Sequence, residues 1–230
     1  MALIYAQTGT LAFSSLLDTR LVISDTYTIA AVSLISAGIA FKLSLAPFHI
    51  WTPDVYEGSP IPSTTYLATI GKAAVFVVLL RFVEISGALT FKSVVAVFSI
   101  IAVISIMVGN LLALMQDNLK RILAYSSIAH MGYLLIAVIA SFFAVGTVSI
   151  EAVTFYLLAY VIMSLGAFGV LSIFSSSQNE LDSIADYQGL FWRSPWLAAV
   201  FTGMLLSLAG IPLTVGFIGK FYVFLAGVET

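Results

Sequence analysis

Six long apolar stretches, at about 27–50, 63–84, 91–114, 119–143, 150–174 and 196–227, take up most of this chain and leave its charges largely to the segments between them. A helix rises 1.5 Å per residue, so about 20 apolar residues cross the roughly 30 Å of hydrocarbon in a bilayer. Runs such as AAVFVVLL and VFSIIAVISIMV do not alternate apolar with polar residues, as the strands of a membrane barrel do. The fold class that follows is all-α, a polytopic membrane helix bundle, in one transmembrane domain over residues 1–230.

Composition excludes the other broad classes. Of the 230 residues, 61% are hydrophobic and 9% charged, and the mean hydropathy is +1.11. Soluble domains carry about 25% charged residues, so this chain cannot clothe a water-facing surface. A soluble enzyme, a nucleic-acid binder and a disordered protein are all excluded, the second also by the net charge of −2. With no cysteine, thiolate zinc sites, iron–sulfur clusters and disulfides are ruled out, and two histidines cannot form a three-histidine metal site. No phosphate-binding loop, dinucleotide fingerprint or hydrolase motif occurs, so no metal or cofactor site is expected.

Met1–Gln7 is too short to span and lacks the layout of a signal peptide; it reads as the end of a helix begun upstream. Leu11, Phe13, Leu16 and Leu17 suggest a short interfacial helix within 10–26. Charge does not orient the bundle: Arg20, Arg81 and Lys92 fall on one side, and Lys120, Arg121 and Arg193 on the other. Trp51–Pro62 (WTPDVYEGSPIP) reads as a proline-rich turn, with Trp51, Tyr56, Trp192 and Trp196 as interfacial anchors. Gly166–Gly169 reads as a site of close helix packing.

The informative residues are those that cost free energy in hydrocarbon. Lys42, Lys72 and Lys220 sit inside apolar spans, where a lysine at mid-depth costs roughly 2.5–3.5 kcal/mol on insertion scales. Each could snorkel to the headgroups from a helix end. Lys72 is least able to, standing about ten residues from either end of its span. The expectation is that all three face the bundle interior or a hydrated cavity. Pro47 and Pro212 are expected to break their helices and to strip the carbonyls of Leu43 and Leu208 of their helical donors. Broken helices at membrane depth line the hydrated paths of transporters. Burial makes a lysine able to give up its proton, and neighbouring charges tune when it does so. His130 could join such a line, or be a neutral core imidazole bonded to Ser126, Ser127 or another helix. His49, at a span end beside Trp51, is a secondary candidate with an interfacial role as its competitor.

Three stretches then carry a resemblance. FKLSLAPFHIWTPDVYEGSPIPSTTYLATIGKAAVFVVLLRF (Phe41–Phe82), QDNLKRILAYSSIAHMGYLL (Gln116–Leu135) and LSLAGIPLTVGFIGKFYVF (Leu206–Phe224) closely resemble the antiporter-like membrane subunits of proton-pumping NADH:quinone oxidoreductase, respiratory complex I. Before Lys72 the chain reads Leu67-Ala68-Thr69-Ile70-Gly71, not the H-S-A-T-M-V of the sister L and M subunits, which favours the N type (subunit 2 in mitochondria). The resemblance implies an Mrp-antiporter-like bundle of two five-helix inverted repeats, each with a broken helix. It implies proton translocation along Lys42, Lys72, His130 and Lys220, coupled to quinone reduction elsewhere. Lys42 would pair with a glutamate on an earlier helix, Lys72 would connect, and Lys220 would exchange protons with the outside.

The resemblance further implies that NADH, FMN, iron–sulfur clusters and quinone sit in other subunits. Partners would be the other membrane subunits of the complex and the bilayer. The location would be the inner (plasma) membrane of a bacterium in preference to the mitochondrial inner membrane, with Trp51–Pro62 and 175–195 facing the cytoplasm. Family members are about twice this length, and no residue here matches the partner glutamate, so the chain reads as a fragment. A stand-alone Mrp-type cation/proton antiporter is the alternative function.

Overall fold

The structure is a computed structural model and describes residues 2–10, 26–86, 88–143, 148–175 and 181–228. The suggested interfacial helix and Arg20 lie outside the described residues. The elements are helical: α1 (Ala2–Thr8), α2 (Thr26–Leu43), α3 (Trp51–Gly58), α4 (Ile61–Ala68), α5 (Ile70–Ser86), α6 (Lys92–Ala113), α7 (Leu119–Phe143), α8 (Val148–Phe174), α9 (Leu190–Arg193), α10 (Pro195–Ala209) and α11 (Val215–Val228). Among the described residues, four helical segments are long and apolar enough to cross a membrane: Ile61–Glu84, Lys92–Ala113, Leu119–Phe143 and Glu151–Phe174. Their outward faces stay apolar, as lipid contact requires; Val77, Ile100, Leu111, Leu158 and Ile162 are all exposed.

α7 is the axis of the bundle. Most of its length is buried, and α3, α6, α8 and α11 pack round it. Without a hydrophobic force between helices in lipid, close packing depends on small residues. Gly109 of α6 and Gly132 of α7 supply it: a Cβ on the first would stand 2.7 Å from Tyr125 O, and one on the second 2.9 Å from Ala102 O. Gly166 lies against the Met204 side chain, whereas Gly169 has open space beside it, so the expected packing run is half realised.

Both interrupted helices end in the same way, and proline does not end them. In α2 the chain turns left-handed at Ser44 (φ 62°). Leu45 N then donates to Ala40 O (2.9 Å) and Ser44 N to Phe41 O (3.1 Å). In α10 the turn is at Gly210 (φ 82°), with Ile211 N donating to Leu206 O (3.1 Å) and Gly210 N to Ser207 O (3.1 Å). This is the Schellman arrangement, which satisfies the carbonyls of Ala40, Phe41, Leu206 and Ser207 within the turn itself. Pro47 and Pro212 lie beyond those ends, inside the breaks, and both are exposed. The Leu208 carbonyl does lack a helical donor and takes Lys220 Nζ instead (3.1 Å); what is corrected is the cause, a left-handed turn that ends each helix before its proline.

Two further features differ from the sequence reading. Trp51–Gly58 is a helix and not a turn, and Thr52, Pro53 and Tyr56 on it are buried. It forms the second half of the first interrupted helix, so Tyr56 is an interior residue and not an interfacial anchor. Trp192 and Trp196 are exposed. The stretch 61–86 is also kinked, at Thr69 (φ −107°, ψ −87°).

At one end of the bundle, polar residues tie three segments together. Arg121 Nη1 pairs with Asp54 (2.9 Å) and with Glu57, and Lys120 Nζ pairs with Asp182 (3.2 Å). Leu119 N donates to Asp182 O (2.7 Å) and Ile184 N to Asp117 O (3.0 Å), so the 181–184 strand of loop runs antiparallel beside 117–119.

Candidate functional site

The kink at Thr69 sets the first side chain of the site. At the kink the Ala68 carbonyl accepts from Tyr160 Oη (2.8 Å) of α8, and Thr69 Oγ1 donates back to Thr65 O (2.6 Å). One turn on, Lys72 points inward and is 1% exposed. Its Nζ donates to Ser127 Oγ of α7 (2.8 Å). Ser127 spends its own proton on Ala124 O (2.7 Å), so its oxygen is free to accept. The Tyr56 ring faces the ammonium from α3, 5.8 Å away at its centroid. Among the described residues no carboxylate pairs with Lys72.

α7 continues the line. Ser127, His130 and Tyr133 recur every three residues, within a third of the helix circumference. His130 is buried, and its Nδ1 lies 2.7 Å from Tyr156 Oη. Its ring is surrounded by those of Tyr160, Tyr156 and Tyr133, at 5.3, 5.8 and 6.3 Å between centroids. Tyr156 and Tyr160, four apart on α8, share the face turned to α7.

The far end of the line is set by the second break. Gly216 N donates to Ser207 Oγ (3.0 Å), which joins α11 to α10 across the interruption. A Cβ on Gly216 would stand 1.7 Å from Ser207 O, and one on Gly219 would stand 2.5 Å from the Tyr156 ring. These two glycines let α11 approach closely enough to turn Lys220 inward. Lys220 Nζ donates to Leu208 O (3.1 Å) and Ala209 O (3.0 Å) and sits 5.0 Å from the centre of the Tyr133 ring. The ammonium thus caps the carboxyl end of α10, where helix carbonyls favour a cation. His130, Tyr133, Lys220, Asn110 and Ser126 line one cavity of about 250 Å³.

The structure therefore brings Lys72, His130 and Lys220 together, and it leaves two expected residues outside. Lys42 is exposed. It borders an apolar groove of about 360 Å³ with Ile35, Gly38, Val75, Val78 and Phe82. Its neighbours Leu43, Leu45 and Ala46 take the inward positions at the end of α2. The expectation that Lys42 faces the interior is corrected for the described residues. His49 is half-buried in the first break, and its enclosed Nδ1 meets no partner among the described residues. Of the three partners open to a neutral core imidazole at 130, the geometry has the last: its Nδ1 meets Tyr156 Oη on another helix, not Ser126 or Ser127.

Sequence reasoning missed Tyr56, Tyr156, Tyr160 and Lys120. The signal for the two α8 tyrosines was present: phenols at i and i+4 inside an apolar span need partners for their hydroxyls. Lys120 read as a boundary charge, yet it is 0% exposed. Among the described residues no group of three or more histidine, aspartate or glutamate side chains converges as a metal site would require.

Membrane-crossing helices and two interrupted apolar ones, packed round buried and half-buried basic side chains, define the class: a polytopic, Mrp-antiporter-like membrane helix bundle. The chain belongs to the NADH:quinone oxidoreductase/Mrp antiporter transmembrane family, whose model matches residues 1–230. It is 53% identical over 230 residues to the NADH-quinone oxidoreductase subunit N of Methylococcus capsulatus, covering 100% of this chain and 47% of that one. It is 52% identical over 231 residues to the subunit N of Ectopseudomonas mendocina, covering 100% and 46%. The chain thus spans about half the length of the curated relatives it matches. Among solved structures, respiratory complex I from Thermus thermophilus with bound aureothin matches with a TM-score of 0.78 and 37% identity, over 99% of this chain and 48% of that chain. The Mrp complex from Dietzia matches in fold, with a TM-score of 0.88, 24% identity and coverage of 99% and 41%.

Proposed function

We propose that this chain is part of a proton-translocating membrane-arm subunit of NADH:quinone oxidoreductase, with Lys72, His130 and Lys220 as its proton path. The observation that carries the reading is one polar line formed by the buried Lys72 and His130 and the half-buried Lys220 among apolar helices. The path runs from Lys72 through Ser127 to the His130 cage, and on through the shared cavity to Lys220. Each basic group holds or releases a proton according to its neighbours' charge, and the water in the cavity carries the proton between them. Lys42 would enter the path once a carboxylate from elsewhere in the complete protein faces its groove. Pro47 and Pro212 keep the breaks open by preventing the helices from rejoining. His49 stands as a secondary candidate at the first break.

The activity belongs to the complex, a translocase. The chain performs no redox chemistry on this reading, and NADH, FMN, iron–sulfur clusters and quinone sit in other subunits. Its partners are the other membrane subunits of the complex and the lipid bilayer. Its place is the inner membrane of a bacterium, with residues 1–230 as one transmembrane domain. The subunit N relatives, over half identical, favour this reading over a stand-alone antiporter, for which the Mrp likeness is one of fold.

The test is replacement in the complete protein, assembled in its complex and reconstituted in vesicles. Lys72→Ala and Lys220→Ala should each lower NADH-driven proton pumping at least about ten-fold, the scale of a lost proton-transfer group. Wild-type pumping in both variants would sink the assignment. Cation exchange in vesicles lacking every other subunit would favour the antiporter.

A further inference from the structure

We infer that Tyr156 is a positioning residue for His130: its phenol holds the imidazole in one tautomer and orientation, with the Nε2 edge given to the path. The inference rests on the proton path proposed above and goes beyond its lysines and histidine. Four observations carry it. The Tyr156 hydroxyl lies 2.7 Å from His130 Nδ1, inside hydrogen-bond range, and both side chains are buried. Among the described residues, His130 Nδ1 is the partner this hydroxyl is given. A phenol with one neighbour able to accept donates to it, so neutral His130 carries its own proton on Nε2. Finally, the Tyr156 ring is itself fixed, because Gly219 lies flat against it at a distance that excludes even a methyl group.

The surroundings of His130 give the tautomer its consequence. Lys72 faces it from α5, Ser126, Ser127 and Tyr133 from α7, Tyr160 from α8 and Lys220 from α11. Its charged neighbours among the described residues are both lysines. Neither serine is bonded to the imidazole, and Tyr160 spends its hydroxyl on Ala68 O. The Leu208 carbonyl accepts from the imidazole on the cavity side, and Tyr156 holds the opposite nitrogen, so the phenol and that carbonyl together set which nitrogen of His130 meets the cavity it shares with Lys220. An imidazole with the other tautomer would offer that cavity a lone pair instead of a proton.

The experiment uses the complete protein in its assembled complex. Tyr156→Phe keeps the ring that packs on Gly219 and removes the hydroxyl alone. Its pumping should fall about three- to ten-fold, with the pH profile of pumping displaced by about half a unit or more. In a His130→Gln background the same change should cost nothing further, because its target is gone. Wild-type pumping by Tyr156→Phe overturns the inference, as does an equal loss in the His130→Gln background. If Tyr156→Phe fails to assemble, 3-fluorotyrosine installed at 156 retains shape and hydroxyl while making the phenol more acidic. An unmoved pH profile there also overturns it. Lys72→Ala and Lys220→Ala run alongside: wild-type pumping by those two fails the path itself, whereas their loss with an unaffected Tyr156→Phe fails this inference alone.

Discussion

Lys72 and Lys120 are equally enclosed and differ in what surrounds their ammonium groups. Lys72 has Ser127 and the face of Tyr56. Lys120 has the Asp182 carboxylate at 3.2 Å and the carbonyls of Glu57 (3.4 Å) and Ser59 (3.3 Å), the last turn of α3. A buried charge poor in partners lowers stability, and replacing it with an apolar side chain of similar volume is often neutral or stabilising. Lys72→Met should therefore leave the thermal midpoint of the assembled protein unchanged or raised while abolishing pumping. Lys120→Met should lose about 2–4 kcal/mol, because it abandons a carboxylate and two helix-end carbonyls. Thermal unfolding of both variants checks the pair, and a Lys72→Met that unfolds earlier than Lys120→Met would contradict it. Depth within an apolar run is readable from sequence, which is why Lys72 stood out. Partners contributed by distant segments are not, which is why Lys120, 62 positions from Asp182, passed for a boundary charge.

At the scale of elements, the two breaks use one device with different residues at the left-handed position. Gly210 adopts it without steric cost, whereas Ser44 pays roughly 1–2 kcal/mol for its Cβ. Ser44 offsets this by accepting from Thr52 Oγ1 (2.6 Å), a buried bond that ties the end of α2 to the start of α3. Ser44→Gly removes both the strain and the bond, while Ser44→Ala removes the bond and keeps the strain. The alanine variant should be less stable than the glycine variant by about 1 kcal/mol, measured by denaturant or thermal unfolding. Gly216→Ala should be worse than either, because its Cβ meets the Ser207 carbonyl, a backbone atom that cannot step aside. With α11 pushed away, Lys220 should lose its carbonyl cap and pumping should fall together with stability. The breaks were legible in the sequence as clusters of proline and glycine, but their cause was misplaced by a few residues. A left-handed serine leaves no compositional mark, and neither does the kink at Thr69. The helix at Trp51–Gly58 was hidden by its polar, proline-containing sequence, although Pro53 falls in its first turn, where no intrahelical donor is lost.

Over the whole molecule, the proton path and the polar end are built on the same helix. α7 carries Lys120 and Arg121 at its start and Ser127, His130 and Tyr133 further along. The fold class and this central stretch were legible because hydrocarbon tolerates polar groups so poorly that each marks a site. The facing of Lys42 was not, because it depends on what covers the groove beside it. The loop at 181–188 is pinned to α7 by Lys120–Asp182 and by two backbone bonds, from Leu119 N and Ile184 N. Asp182→Asn should raise amide exchange at Leu119 and Ile184 and leave exchange near His130 unchanged.

Tyr187 gives the same loop a pH limit. Its hydroxyl donates to Leu181 O (2.9 Å), and its ring packs on Phe174 and Phe201. Burial first, and then the Asp182 carboxylate, push its pKa from 10.0 up to about 12. A raised acid means that the fold favours the neutral phenol. That contribution is fully present below the unfolded value and is lost as pH climbs through the folded one. Amide exchange in 181–188, corrected for its intrinsic alkaline acceleration, should rise between about pH 10 and 12 in the wild type. Tyr187→Phe should remove the pH step while exchanging faster throughout, having lost the bond to Leu181. A step that persists in Tyr187→Phe would place the titrating group elsewhere.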